Sequence, residues 1–249
     1  MLYDMIIMQR RKFLLASGLA TTTVLAGCTG ADDDGDNGGS NGGGSGDGND
    51  DTDSENGGDE NGSGQDGGNE PDPIELSGSG ADVSDEFDLE GGFVIVEATH
   101  TGGDSNFQIE LVDDNGDMAA LFVNEIGEFD GKAGASPEAG SYVLDINADG
   151  DWEITLRQPR PTEGDSLPVE ESGDSPSVIG PYEFDGRVKA TGSYDGQRNF
   201  IVEVYPVDPG YHELVFNEID SFEGSNTFSM NGLGFVVVQA SGSWTLEME

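Results

Sequence analysis

Cysteine is nearly absent: the 249 residues contain one, Cys28. A lone thiol closes no internal disulfide and builds no cysteine-based zinc site, so stability has to come from burial. Positive charge is scarce too. Nine Lys and Arg stand against 51 Asp and Glu, a formal net charge of −42. That balance excludes nucleic acid as a partner, because phosphate binding needs clustered cations to displace counterions, and an anionic membrane surface repels the chain for the same reason. Apolar residues make up 34%, below the ~45–50% of an ordinary globular domain, so part of the chain lies outside any packed core. After residue 72 no stretch repeats its apolar residues with a 3.6-residue period over three turns, which leaves no major helix.

The N-terminus reads as an address to be set aside before fold reasoning. A basic pair, Arg10-Arg11, precedes an apolar run from Phe13 to Leu25 that ends at Leu25-Ala26-Gly27-Cys28. At 13 residues the run is too short to cross a hydrocarbon layer, for which ~20 are needed, so it is read as a signal peptide. The pair resembles a twin-arginine export signal, although Gln9 stands where Ser or Thr is usual. Leu-Ala-Gly-Cys resembles a lipobox, at which a lipoprotein is lipidated on cysteine and cleaved before it. This assigns 1–27 to the signal peptide and Cys28 to lipidation. Asp4 is odd in a cationic leader, which points to Met8 rather than Met1 as the start.

Residues 28–72 form the second segment. From Thr29 to Asp72, 44 residues, there are 14 Asp or Glu, 15 Gly, 6 Asn and 4 Ser, with no aromatic, Lys or Arg. Such a composition buries too little apolar surface to offset its ordering entropy and is expected to be a disordered tether, with a root-mean-square span of ~35–40 Å as a Gly-rich coil. Gly38-Gly39-Ser40-Asn41-Gly42 matches the nucleophile-elbow pattern of hydrolases but lacks the strand and helix which that motif needs. Asn61-Gly62-Ser63 is a glycosylation sequon on an accessible segment.

The remainder contains an internal repeat. Asn106-Phe107 recurs as Asn199-Phe200, Leu121-Phe122-Val123-Asn124-Glu125-Ile126 as Leu214-Val215-Phe216-Asn217-Glu218-Ile219, and Phe129-Asp130-Gly131 as Phe222-Glu223-Gly224, all offset by 93. Gly140-Ser141-Tyr142-Val143 aligns with Leu233-Gly234-Phe235-Val236 at the same offset, and Gly150-Asp151-Trp152 with Gly242-Ser243-Trp244 at 92. The sequence thus places a one-residue loss between these last two matches. Upstream, Val83 to Phe87 aligns with Val178 to Tyr182 at 95. Two copies follow, 73–159 and 167–249, joined by a Pro-rich linker. Phe107, Ile109 and Leu111 alternate with polar residues, as do Trp152, Ile154 and Leu156, which is the period of half-buried strands. Asp113-Asp114-Asn115-Gly116-Asp117 and Asp208-Pro209-Gly210 supply turn chemistry. The expected fold class is all-β: two tandem β-sandwich domains of roughly seven short strands each, with a jelly roll as the variant that this strand count allows.

The shared run N-E-I-x-x-F-x-G followed by A-x-G-x-W-x-(I/L), present at Asn124–Gly131 with Ala148–Ile154 and again at Asn217–Gly224 with Ala240–Leu246, resembles a small all-β domain of secreted bacterial and archaeal proteins without an assigned activity. With the leader and the acidity, the whole resembles a haloarchaeal twin-arginine-exported surface lipoprotein. The resemblance implies an extracytoplasmic, lipid-anchored β-sandwich protein and brings no catalytic residues with it. From residue 73 onward the count is 36 acidic to 6 basic, a surface that self-repels in dilute buffer and is tolerated where concentrated salt shortens the screening length to ~3 Å.

Candidate chemistry is thin. Asp113, Asp114 and Asp117 are the oxygen-rich candidates for a cation, but their spacing fails the EF-hand pattern and the second copy keeps only Asp208, which favours a plain hairpin turn. His100 and His212 lack metal-ligand spacing and are expected on the surface. Glu125 and Glu218 recur between Asn and Ile. They are expected to be held by backbone donors at a strand end, with ligand contact as the sharper alternative. Trp152 and Trp244 are expected as core anchors. No cofactor is implied. The partners expected are membrane lipid through Cys28 and a surface protein or glycan, and the expected function is a non-catalytic binding or structural module. The competing class is an enzyme or accessory subunit acting on a surface polysaccharide or serving a neighbouring membrane protein.

Overall fold

The computed structural model describes residues 70–249. Arg10, Arg11, Cys28 and Asn61, together with the expected leader and most of the expected tether, lie outside the described residues. What is described is all-β, with strands and no helix. The first copy contributes β1 (Ile74–Ser79), β2 (Asp82–Val83), β3 (Phe87–Leu89), β4 (Val94–Thr101), β5 (Asn106–Asp113), β6 (Met118–Ile126), β7 (Phe129–Ala135), β8 (Gly140–Asn147) and β9 (Asp151–Arg157). The second contributes β10 (Asp165–Ser166), β11 (Val169–Gly173), β12 (Ser177–Tyr194), β13 (Asn199–Pro206), β14 (Glu213–Ile219), β15 (Phe222–Gln239) and β16 (Trp244–Met248).

Repeat 1 is built from two sheets, one ordered β1-β9-β4-β7 and the other β2-β8-β5-β6 with β3 beside β8. Repeat 2 runs through the same strand neighbours as one continuous sheet, β11-β16-β12-β15-β13-β14, with β10 on β12. The difference lies in β12 and β15, each 18 residues long. In repeat 1 their counterparts are broken, β3 from β4 and β7 from β8. Within the long strands left-handed glycines, Gly180 at φ 102° and Gly186 at φ 93° in β12 and Gly232 at φ 85° in β15, supply a conformation that other residues rarely adopt.

Alternating apolar residues fill two separate cores. One draws on residues between Leu89 and Leu156, the other on residues between Tyr182 and Met248. Trp152 and Trp244 are buried in them. Each indole N–H donates to a backbone carbonyl, Gly80 at 2.9 Å and Ser175 at 3.1 Å. Each ring also lies on a glycine of the neighbouring strand. A Cβ at Gly78 would sit 2.5 Å from Trp152, and one at Gly173 2.7 Å from Trp244, so only glycine fits beneath either ring.

A third, small apolar cluster joins the repeats. Phe93 stacks on Phe235 with ring centroids 4.9 Å apart and leans on Tyr205 at 5.3 Å, with Val237 completing the contact. Strand register corrects the sequence alignment here. Leu111 pairs with Leu144, and its counterpart Val204 pairs with Val236, so β8 already matches β15 at an offset of 92. The lost residue therefore falls at the β7–β8 corner, before β8 rather than after it. Since a one-residue slip turns every side chain to the other face, Phe235 is the counterpart of Val143, not of Tyr142. Tyr142 faces its own core, whereas Phe235 faces the junction.

Candidate functional site

The repeated Asn-Glu-Ile segment lies on an edge strand in both copies. In the backbone ladders β6 pairs only with β5, and β14 only with β13. Each pairing carries a bulge at the same place, between Ile109 and Glu110 in one copy and between Val202 and Glu203 in the other, and β5–β6 has a second register shift between Leu111 and Val112. Each bulge gives its edge strand an extra residue, so two consecutive side chains, Phe122-Val123 and Val215-Phe216, are buried before the strand turns Asn124 or Asn217 outward. The glutamate then projects along the open side of the sandwich, between β6 and β7 or between β14 and β15.

Around Glu125 this side is covered by repeat 2. A cleft of about 530 Å³ separates β6 and β7 from the turn Gln197-Arg198-Asn199. The Arg198 guanidinium donates to the Glu125 carboxylate across the cleft. Their side chains are 56% and 35% exposed, so this is a rim ion pair that fixes register more than it adds stability. Behind it the outer edge of β7 donates the Lys132 backbone N–H to the Pro176 carbonyl at 2.8 Å, while the Lys132 ammonium pairs with Glu97 at 3.1 Å. The partner of Glu125 is thus an arginine of the other repeat, not the backbone donors expected from the sequence.

Around Glu218 no described residue of the other repeat covers the same side. A groove of about 310 Å³ runs between β14 and β15, floored by Val215 and Phe216 and bridged by Asn226, whose amide donates to the Val215 carbonyl at 2.8 Å. Glu218 is exposed, and no hydrogen bond or ion pair to its carboxylate occurs among the described residues. Leu214, four residues before it on β14, also lines the groove and is 51% exposed. Each groove is lined by a single carboxylate, Glu125 in one and Glu218 in the other.

The other nominated residues do not join these grooves. Asp113, Asp114 and Asp117 lie in the β5–β6 hairpin and do not converge on a cation. Asp113 Oδ1 accepts from the backbone N–H of Asn115 at 3.0 Å and of Asp117 at 2.8 Å, and the Asn115 amide donates to Asp114 at 2.8 Å. The bond from Asp117 is the main reason that the Asp113 carboxyl titrates below the usual range. Among the described residues no three His, Cys, Asp or Glu side chains are placed to hold a metal ion.

His100 corrects its expectation, because it is wholly buried. Its ring stacks on Phe107 at 4.5 Å. Nδ1 donates to the Gly127 carbonyl at 2.7 Å, and Nε2 accepts the Gly150 N–H at 3.1 Å. Register explains the burial. His100 faces Phe129 and Trp152 as Tyr194 faces Phe222 and Trp244, so it fills a core position that repeat 2 gives to tyrosine. His212 is exposed, stacked on Tyr205 and 3.5 Å from Glu203.

Sequence reasoning missed Arg198 and Pro176, which meet repeat 1. One signal was present: Arg198 is one of six cations after residue 72, and it immediately precedes the repeated Asn199-Phe200. The chain matches no protein-family model, and no curated protein is similar to it in sequence.

Proposed function

We propose that this protein is a membrane-anchored, extracytoplasmic lipoprotein that displays two β-sandwich repeats as a non-catalytic binding module. The observation that carries the binding reading is the Glu125–Arg198 pair, in which the repeated glutamate serves as the polar contact for the surface of the neighbouring repeat. Hydrolysis of a glycosidic bond requires two carboxyl groups flanking it, and one carboxylate per groove favours recognition over that chemistry. Export and anchoring rest on Arg10-Arg11 and the Leu-Ala-Gly-Cys28 run, and the acidic segment after Cys28 serves as the tether. Each buried methylene of an attached lipid adds ~0.8 kcal/mol of membrane affinity, so stable retention takes two chains or one much longer lipid.

Fractionation tests this reading. Cys28→Ser moves the protein from the membrane to the soluble or culture fraction with its strands still folded, and replacing both Arg10 and Arg11 with Lys traps uncleaved precursor inside the cell. A Cys28→Ser protein that stays on membranes through a high-salt wash refutes the anchor.

A further inference from the structure

The two grooves are one surface seen in two states. Leu214, Asn217, Glu218 and Phe222 repeat Leu121, Asn124, Glu125 and Phe129 on equivalent strands, and Ser225 stands where Lys132 gives its N–H to Pro176. In repeat 1 the surface is covered through two polar contacts, an arginine on the glutamate and a carbonyl on the outer edge of β7. In repeat 2 no described residue covers it. We propose that the β14–β15 groove docks a different protein, which presents an arginine to Glu218 and an extended backbone to the outer edge of β15 at Ser225. This rests on the binding reading above and names the partner's chemistry.

Charge argues against a second copy of this chain as the occupant. The part of repeat 1 equivalent to the docking turn carries Ser105 in place of Arg198, flanked by Asp104, and Asp149 accepts the backbone N–H of both. Presented to Glu218, that surface would set carboxylate against carboxylate. The sheet face beside the groove differs as well. Phe93 and Ile95, whose outer face repeat 2 covers, correspond by register to Arg187 and Lys189, so the contact in repeat 2 has no apolar anchor on that face. The predicted partner is therefore held by the groove itself, with Leu214 as apolar ledge and Glu218 as the charge that selects arginine.

The test uses the full chain and a cyclised peptide copying Tyr194 to Phe200, which carries Arg198 in its native turn. Titrating the peptide into isotope-labelled protein is expected to shift the amide resonances of β14 and the first half of β15, Glu218 and Ser225 among them. Either Arg198→Ala in the peptide or Glu218→Gln in the protein should weaken binding about fivefold. A peptide affinity left unchanged by Glu218→Gln, shifts confined to other strands, or no shifts into the millimolar range overturn the proposal. So does concentration-dependent self-association of the full chain that Glu218→Gln abolishes, since it would make a second copy the occupant. Failure of the anchor is read separately, in the Cys28→Ser fractionation.

Discussion

Repeat 1 and repeat 2 share strand neighbours, two tryptophans on glycine and a glutamate on an open edge, yet they solve the same corners with different residues. The hairpin end beneath each sandwich is packed by His100 in one and Tyr194 in the other, against Phe107 and Phe200. The turn after the edge strand holds a left-handed residue in both, Gly127 at φ 86° and Asp220 at φ 67°. Where the repeats touch, the differences become functional: Phe93 replaces the arginine of its counterpart, and Phe235 and Val237 stand where repeat 1 has Val143 and Asp145. Equivalent backbones thus leave room for a face to be apolar where it is covered and charged where it is not.

The largest effects should test whether the cores are separate. Trp152→Ala and Trp244→Ala should each cost about 3–5 kcal/mol, and hydrogen exchange should report the loss mainly in the repeat that carries the substitution. An equal loss of protection in both repeats would mean that they share one core. Next comes the junction. Phe93→Ala removes a buried ring shared by both repeats and should cost about 3 kcal/mol, splitting the calorimetric transition into two; a single transition of unchanged width would show that Phe93 does not couple them.

The corner residues give smaller effects. His100→Ala strips a ring and leaves the Gly127 carbonyl and Gly150 N–H without their partner, which should cost about 2–3 kcal/mol. If the His100 and Tyr194 sites are equivalent in packing, His100→Tyr should recover part of that loss by filling the ring space, and a loss as large as that of alanine would show that the ring nitrogens matter more than the stack. Smallest is Asp220→Gly, which relieves a left-handed non-glycine residue at the place where repeat 1 uses glycine and should raise stability by up to about 1 kcal/mol. Chemical denaturation measures it, and a decrease would mean that the Asp220 side chain supports the turn.

Much of the fold was legible in the sequence. The alternation of Phe107, Ile109 and Leu111 gave their strand and its buried face, because a pleated strand exposes and buries with a period of two whatever surrounds it. The repeated Asn-Glu-Ile marked the right strands, but nothing local said that one glutamate would meet Arg198 while the other faced solvent. The run Phe235-Val236-Val237-Val238 carried a readable hint, since continuous apolar residues belong to a strand covered on both faces.

What the sequence determined by itself is local: the strands, their turns, the two tryptophan anchors and the existence of two copies follow from periodicity, turn chemistry and repetition. What only the tertiary structure decided is the one-residue slip at the β7–β8 corner, the burial of His100 and the covering of one glutamate groove and not the other. These depend on pairing between distant strands and on the contact of one repeat with the next. A single residue lost at a corner leaves the pattern of each strand intact while reversing which face meets the core and which meets a partner.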